Sequence, residues 1–233
     1  MHVARDANWR YRFLQRCLWV LFHAATRLRV TGLEHVPATG ALVVCPNHIH
    51  SLDIPLVGMA IPRHATILAA DKWKGTLGGR AIEAMTRIIY VTRGEPDRAA
   101  LAECLRILRA GKTLAVAPEG TRSRHPGLQE GHDGASYLAS RTGAPIVPVA
   151  VWGQEKAFRA LGHFRRGEVH LCFGPPIVLP PLAARSRGAE LHRYTEQVMV
   201  SIARMMPAEY RGVYAQRAQV IPPSDEEASA AVC

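Results

Sequence analysis

The sequence predicts an α/β fold: a single domain with a mostly parallel central sheet flanked by helices, preceded by an N-terminal amphipathic helix. Three observations carry this expectation. From Gly32 onward, short β-type runs alternate with stretches of helical periodicity, the order that builds a parallel sheet with covering helices. Several of those β-type runs are nearly all apolar, as strands covered on both faces are. The 233 residues, 48% hydrophobic and 21% charged, are enough for one globular domain with a substantial core.

The elements follow in order. Residues 9–30, WRYRFLQRCLWVLFHAATRLRV, read as a two-sided helix. Phe13, Leu14, Cys17, Leu18, Leu21, Ala24, Ala25 and Leu28 recur at spacings of three and four, while Arg12, Arg16, His23 and Arg27 take another face. Two readings stand. The apolar side covers the core, or, with Trp9 and Trp19 as anchors, it lies in the headgroup region of an anionic membrane. The apolar run Cys17–Phe22 is too short to span a bilayer, which takes about 20 residues. Basic residues on both sides and the lack of a clean cleavage site argue against a signal peptide.

Strands are expected at Ala41–Cys45, Thr66–Ala70, Ile88–Val91, Thr113–Ala117, Ile146–Trp152 and Glu168–Phe173. Helices are expected at Ile54–Ala60, Thr76–Thr86, Pro96–Ala110, Gly134–Arg141 and Ala189–Met206. The best marked is EPDRAALAECLRILRAG, with Glu95, Pro96 and Asp97 at its start, a stripe of Leu101, Leu105 and Leu108, and Gly111 at its stop. The run Pro175–Pro181 reads as an extended connector. The acidic, small-residue tail after Pro222 has the composition of a disordered segment. The division expected is a surface helix at 1–30, the folded domain at 31–212 and a partly disordered tail at 213–233. There is no internal repeat.

Lys and Arg outnumber Asp and Glu by 29 to 19, a formal charge of +10, which favours an anionic partner. Nucleic acid is the weaker candidate: zinc-finger spacing and an aromatic RNA-binding block are absent, and aromatics are only 6%. The five cysteines are scattered, without a C-x-x-C pair, which argues against a structural zinc site and a disulfide framework; Cys45 and Cys172 sit in apolar runs and read as small hydrophobes. This usage suits a reducing compartment.

The chemistry gathers in two stretches. CPNHIHSLDIPL, Cys45–Leu56, leaves an apolar strand and presents Asn47, His48, His50, Ser51 and Asp53 before Pro55, which suits the first turn of a helix. Strand-to-helix turns at the carboxyl edge of an α/β sheet are common ligand sites. In a regular helix, positions five apart diverge by about 140°, so His48 and Asp53 meet only if the residues between them form a turn. Asp53 then holds one imidazole nitrogen and leaves the other free as a base. The plainer reading is a surface turn with Asp53 as a helix cap and Asn47 as a turn residue. His48 and His50 lack a third ligand at metal-binding spacing. In the second stretch, APEGTRSR (Ala117–Arg124), a glutamate, a glycine and two arginines crowd a strand end. Arginine forks match phosphate oxygens, and glycine admits a close backbone approach. The alternative is an exposed loop with salt-bridged arginines.

Taken together, the stretches resemble the glycerolipid acyltransferase family, best known for members that acylate 1-acylglycerol 3-phosphate. The family's N-H-x-x-x-x-D block stands here as Asn47, His48 and Asp53, and its P-E-G-T-R-S block as Pro118–Ser123. Lys72 and Val91-Thr92-Arg93 match its middle block, and Pro145–Val149 its P-I-V-P-V block. The resemblance covers about residues 30–180. One departure is Arg87, where the family usually carries glycine: it adds a phosphate contact or is merely solvated. His50 is a variable position in the family and has no assigned role.

The resemblance implies acyl transfer from a thioester of coenzyme A or acyl carrier protein to a hydroxyl, with no other cofactor and no metal. His48 is the expected base and Asp53 its orienting carboxylate. Substrate binding falls to Asn47, Lys72, Arg93, Glu119, Gly120, Thr121 and Arg122, with the arginines on the acceptor phosphate. Direct transfer is expected rather than an acyl-enzyme, since nothing activates Ser51. The partners expected are a lysophospholipid acceptor, an acyl thioester donor and the anionic surface of the membrane, on its cytoplasmic face. Alternatives are another acceptor (glycerol 3-phosphate, another lysophospholipid or a lyso-aminolipid) or an inactive lipid-surface module.

Overall fold

The computed structural model describes residues 9–77, 79–80, 83, 86–92, 97–123, 125, 127–182 and 187–220, with Lys72, Arg187 and Val220 described by their backbone alone. Its centre is a seven-stranded sheet: β1 (Arg27–Thr31), β2 (Leu42–Pro46), β3 (Ala65–Ala70), β4 (Ile88–Val91), β5 (Thr113–Ala115), β6 (Ile146–Trp152) and β7 (Glu168–Phe173). The spatial order is β1-β7-β6-β2-β5-β3-β4. Every neighbouring pair is parallel except β6 with β7, so the fold is α/β with a largely parallel sheet, as expected.

The strand pleat sorts β2 between two cores. Val43 and Cys45 pack on the side covered by α3 (Arg98–Arg109), α4 (Gly134–Thr142) and α6 (Arg187–Arg204). Leu42 and Val44 pack with Phe22, Leu56, Met59 and Ala157, which belong to α1 (Trp9–Ala25), α2 (Asp53–Ala60) and α5 (Gln154–Leu161). Alternation along a doubly covered strand thus feeds both layers, which explains why these strands read as unbroken apolar runs. Asp97 caps α3 by accepting from Ala100 N at 2.8 Å, while Gly111 follows with φ 70°, a left-handed residue beyond the helix end.

Several boundaries differ from the sequence expectation. The N-terminal helix ends at Ala25, not Val30, because residues 27–31 pair with β7 as an edge strand of alternating exposure. The helix α5 was not expected at all. Of the helix expected at Thr76–Thr86, the residues Leu77, Gly79, Arg80 and Glu83 are helical and most others lie outside the described residues, as does Pro96. Residues 213–220 of the expected C-terminal tail are folded onto the domain: Tyr214 and Ala218 are buried, and Arg217–Val220 form a short helix, α7. Residues 221–233 lie outside the described residues. Cys45 is a buried free thiol, pushed up to about 12 by burial. Cys172 is equally buried, packed in the same core.

The face of α1 that meets the core is also not the predicted stripe. Tyr11, Gln15 and Phe22 are buried. The Tyr11 hydroxyl donates to Gly58 O at 3.0 Å and Gln15 Nε2 to Ile61 O at 2.9 Å, docking α1 on the end of α2. Polar groups that recognise backbone carbonyls therefore fix this helix. Trp9, Phe13, Val20 and Leu21 stay exposed, at 60–71%.

Candidate active site

The first functional loop leaves β2 at Pro46 and enters α2 at Asp53. Asp53 N donates to His50 O at 3.2 Å, so the residues between His48 and Asp53 form the turn that their meeting requires. His48 Nδ1 donates to Asp53 Oδ2 at 3.1 Å. The same oxygen accepts from Ile49 N and His50 N, both at 2.8 Å, and Oδ1 accepts from Gln154 Nε2 at 2.6 Å. Four donors thus meet a carboxylate that is almost fully buried, the compensation that a buried charge demands. Because a carboxylate only accepts, the proton of neutral His48 sits on Nδ1 and the lone pair on Nε2. Only the His48 ring, 19% exposed, opens to solvent; the Asp53 side chain is 2% exposed.

Asn47 is fully buried, and both ends of its amide are bonded to β6: Nδ2 donates to Val151 O at 2.9 Å, and Oδ1 accepts from Val151 N at 2.7 Å. Its backbone N–H donates to Val149 O at 3.2 Å. The expected substrate contact at Asn47 is therefore corrected to a seam that carries β2 one residue further along β6. His50 Nδ1 accepts from Leu52 N at 3.3 Å, and its ring stacks on Phe158. Ser51 is exposed, with no bond to His48 or Asp53.

The second loop grips the first by its backbone. Glu119 Oε1 accepts from His48 N at 2.8 Å, and Ser123 N donates to His48 O at 2.8 Å. The histidine is thus pinned on both sides of its Cα by residues of PEGTRS. Glu119 is itself buried, and burial raises its carboxyl above the ordinary value, opposed by the N–H bonds from Gln129 and His48. Gly120 has φ 65°, and a Cβ there would lie 2.7 Å from His132 Cδ2. The His132 ring makes a close approach to this glycine. Thr121 is half-buried and Arg122 exposed in the same loop.

A third layer supports Glu119. Gln129 N donates to Oε2 at 3.0 Å, and the chain around Gln129 is held by the C-terminal segment: Leu128 N to Tyr210 O at 3.1 Å, Val213 N to Leu128 O at 3.1 Å, and Gly131 N to the Tyr214 hydroxyl at 3.0 Å.

The phosphate-binding candidates divide. Lys72 lies in a 3-10 turn directly after β3, on the edge of the sheet that carries His48. Arg93 lies outside the described residues. Arg87 directly precedes β4, at the opposite edge, and pairs with Glu103 at 2.6 Å, so it is a solvated ion pair. Among the described residues, no group of three His, Cys, Asp or Glu side chains could hold a metal ion.

Residues 27–152, more than half of the chain and including both loops, match the profile of the Acyltransferase family. The chain belongs to that family. The chain is 26% identical over 148 residues to a 1-acyl-sn-glycerol-3-phosphate acyltransferase of Borreliella burgdorferi, covering 62% of this chain but only 59% of that protein. It is 26% identical over 174 residues to the Bacillus subtilis protein of the same name, covering 72% of this chain and 82% of the relative. Its fold is that of the crystal structure of the 1-acyl-sn-glycerophosphate acyltransferase from Thermotoga maritima, at a TM-score of 0.64 and 21% identity over 92% of this chain and 81% of that one. Gln154 and the C-terminal segment of the chain lie beyond the residues that match the family profile. Sequence reasoning missed both, although the left-handed Gly153 before Gln154 and the tyrosines Tyr210 and Tyr214 are visible signals.

Proposed function

We propose that this acyltransferase moves a fatty acyl group from a thioester of coenzyme A or acyl carrier protein to the sn-2 hydroxyl of 1-acylglycerol 3-phosphate, giving phosphatidate and a free thiol. The observation that carries the reading is the His48–Asp53 pair, in which Nδ1 is committed to the carboxylate and Nε2 is left to take the hydroxyl proton. As the acceptor oxygen attacks the thioester carbonyl, His48 becomes imidazolium beside the buried Asp53 charge, and its proton passes to the leaving thiolate. No acyl-enzyme is needed, and Ser51 has no base to activate it. Lys72, Arg93 and Arg122 hold the acceptor phosphate, with Gly120 and Thr121 shaping that side of the pocket. Glu119 and Asn47 act by fixing the loops.

The reaction takes place at a bilayer surface. No helix among the described residues is long and apolar enough to cross a membrane. The exposed stripe of α1, with Trp9, Phe13, Val20 and Leu21 beside the exposed Arg12 and Arg16, supports docking onto anionic lipid, where acyl chains reside.

The test is an assay on liposomes with oleoyl-CoA and 1-acylglycerol 3-phosphate, following thiol release and phosphatidate. Wild type is expected to form both, and His48→Ala to be slower by about 10²–10⁴-fold, the usual worth of a general base. Transfer that survives His48→Ala would discard the mechanism. Transfer only to glycerol 3-phosphate would discard the acceptor.

A further inference from the structure

The turn between α5 and β7 carries a feature that neither packing nor catalysis explains. Phe164 is fully exposed, at 103%, and is the one non-glycine residue with positive φ, 55°, among the described residues. Arg165 N donates to Ala160 O and Phe164 N to Leu161 O, both at 3.0 Å. These two bonds close a helix end of the kind that places a left-handed residue, usually glycine, where Phe164 stands. A bulky residue is unfavourable there. The turn has glycines at 162 and 167, yet its tip holds an aromatic ring turned to solvent.

The surroundings of the ring are basic. Arg159, His163, Arg165 and Arg166 are exposed beside it along the chain, and Arg159 and Arg165 make no ion pair among the described residues. The nearest acid along the chain, Glu168, is engaged by Arg29 at 3.9 Å and His170 at 3.6 Å. The turn is rooted on α1: Arg166 Nη2 donates to His23 O and to Thr26 O (the latter at 2.7 Å), and Arg27 N donates to Gly167 O at 2.8 Å. The tip therefore stands beside the C-terminal end of the helix whose Val20 and Leu21 are exposed.

We propose that the turn 162–167 is a second lipid-surface anchor, in which Phe164 enters the acyl boundary of an anionic bilayer while Arg159 and Arg165 meet its headgroups. An apolar wedge ringed by cations has the chemistry of that boundary, where burial of the ring and attraction to anionic lipid act together. The inference rests on the reading that this acyltransferase works at a bilayer, and it adds a site outside the N-terminal helix.

Phe164→Gly separates the function of the ring from folding, since glycine suits the left-handed position better than phenylalanine does. Co-sedimentation with vesicles of phosphatidylcholine containing phosphatidylglycerol would be compared for wild type, Phe164→Gly and the α1 variant Phe13→Ser/Val20→Ser. Phe164→Gly is expected to melt at or above the wild-type temperature yet bind these vesicles roughly five- to tenfold more weakly, the loss of one inserted aromatic ring. Arg165→Gln is expected to weaken binding to the anionic vesicles but not to pure phosphatidylcholine. Unchanged binding by Phe164→Gly, with loss only in the α1 variant, overturns the inference and leaves the bilayer reading intact. A wild type that binds neither vesicle overturns both. Unchanged vesicle binding with loss of self-association in Phe164→Gly would also overturn it, assigning the tip to contact between copies.

Discussion

Glu119 is a carboxyl whose surroundings pull in two directions. Burial raises its pKa, while the N–H groups of Gln129 and His48 favour its ionised form. The net direction is upward, so the folded chain holds this proton more tightly than the unfolded chain does. Its contribution to stability is then complete below the unfolded value of about 4.3 and is lost as pH rises through the higher folded value. Glu119→Gln removes the titration. The difference in Tm, wild type minus variant, is expected to be largest near pH 4 and to shrink toward neutrality; a difference that widens with pH would mean the bonds to the ionised form prevail. At this scale the sequence was readable for the pair and poor for its supports. His48 and Asp53 announce themselves by type and spacing. That Glu119 would bond a backbone N–H rather than a substrate depends on where Gln129 and His48 come to lie, and local pattern holds no such information.

Among the elements, α5 shows what periodicity misses. Its eight residues follow Gly153, which takes φ 87°, and the turn drops Gln154 onto Asp53 at 2.6 Å. Further along, Phe158 stacks on His50 and meets Phe22 edge-on, so one short helix touches the site loop and α1. Gln154→Leu keeps the volume but withdraws the donor. A hydrogen bond to a charged group is worth about 1.5–3 kcal/mol, so kcat is expected to fall roughly tenfold or more with KM little changed, as steady-state kinetics would read. An unaltered kcat would make Gln154 a packing residue only. The strands were legible because covering on both faces makes them apolar throughout. The helix α1 was legible in kind but not in orientation, since Tyr11 and Gln15 dock it through hydrogen bonds that a count of apolar positions cannot weigh. The strand β1 was read as helix because its Leu28 fits both periods.

Across the whole molecule, the site sits where β6, β2 and β5 end side by side, with Gln154, His48 and Glu119 each following one of them. The order β6-β2-β5 brings together residues more than a hundred positions apart, the crevice beyond the carboxyl ends where such sheets bind ligands. The C-terminal segment closes the circuit, from Tyr214 through Gly131 and Gln129 to Glu119 and on to His48. Tyr214→Phe removes the hydroxyl that accepts from the half-buried Gly131 N–H, a cost of about 1 kcal/mol. Tm should fall by roughly 2–4 °C per kcal/mol in a chain of this size, as calorimetry would measure. A variant as stable as wild type would mean the segment is merely laid over the loop.

The thiols of this chain are also graded by depth in a useful way. Cys104 is pushed up to about 11, chiefly by burial, and Cys45 to about 12, so at neutral pH both are protonated and screened from reagents. Cys17 is exposed in the middle of α1, between Phe13 and Leu21. Of these three free thiols, a maleimide dye would therefore mark only Cys17, turning the unaltered chain into its own optical probe of what that helix face touches.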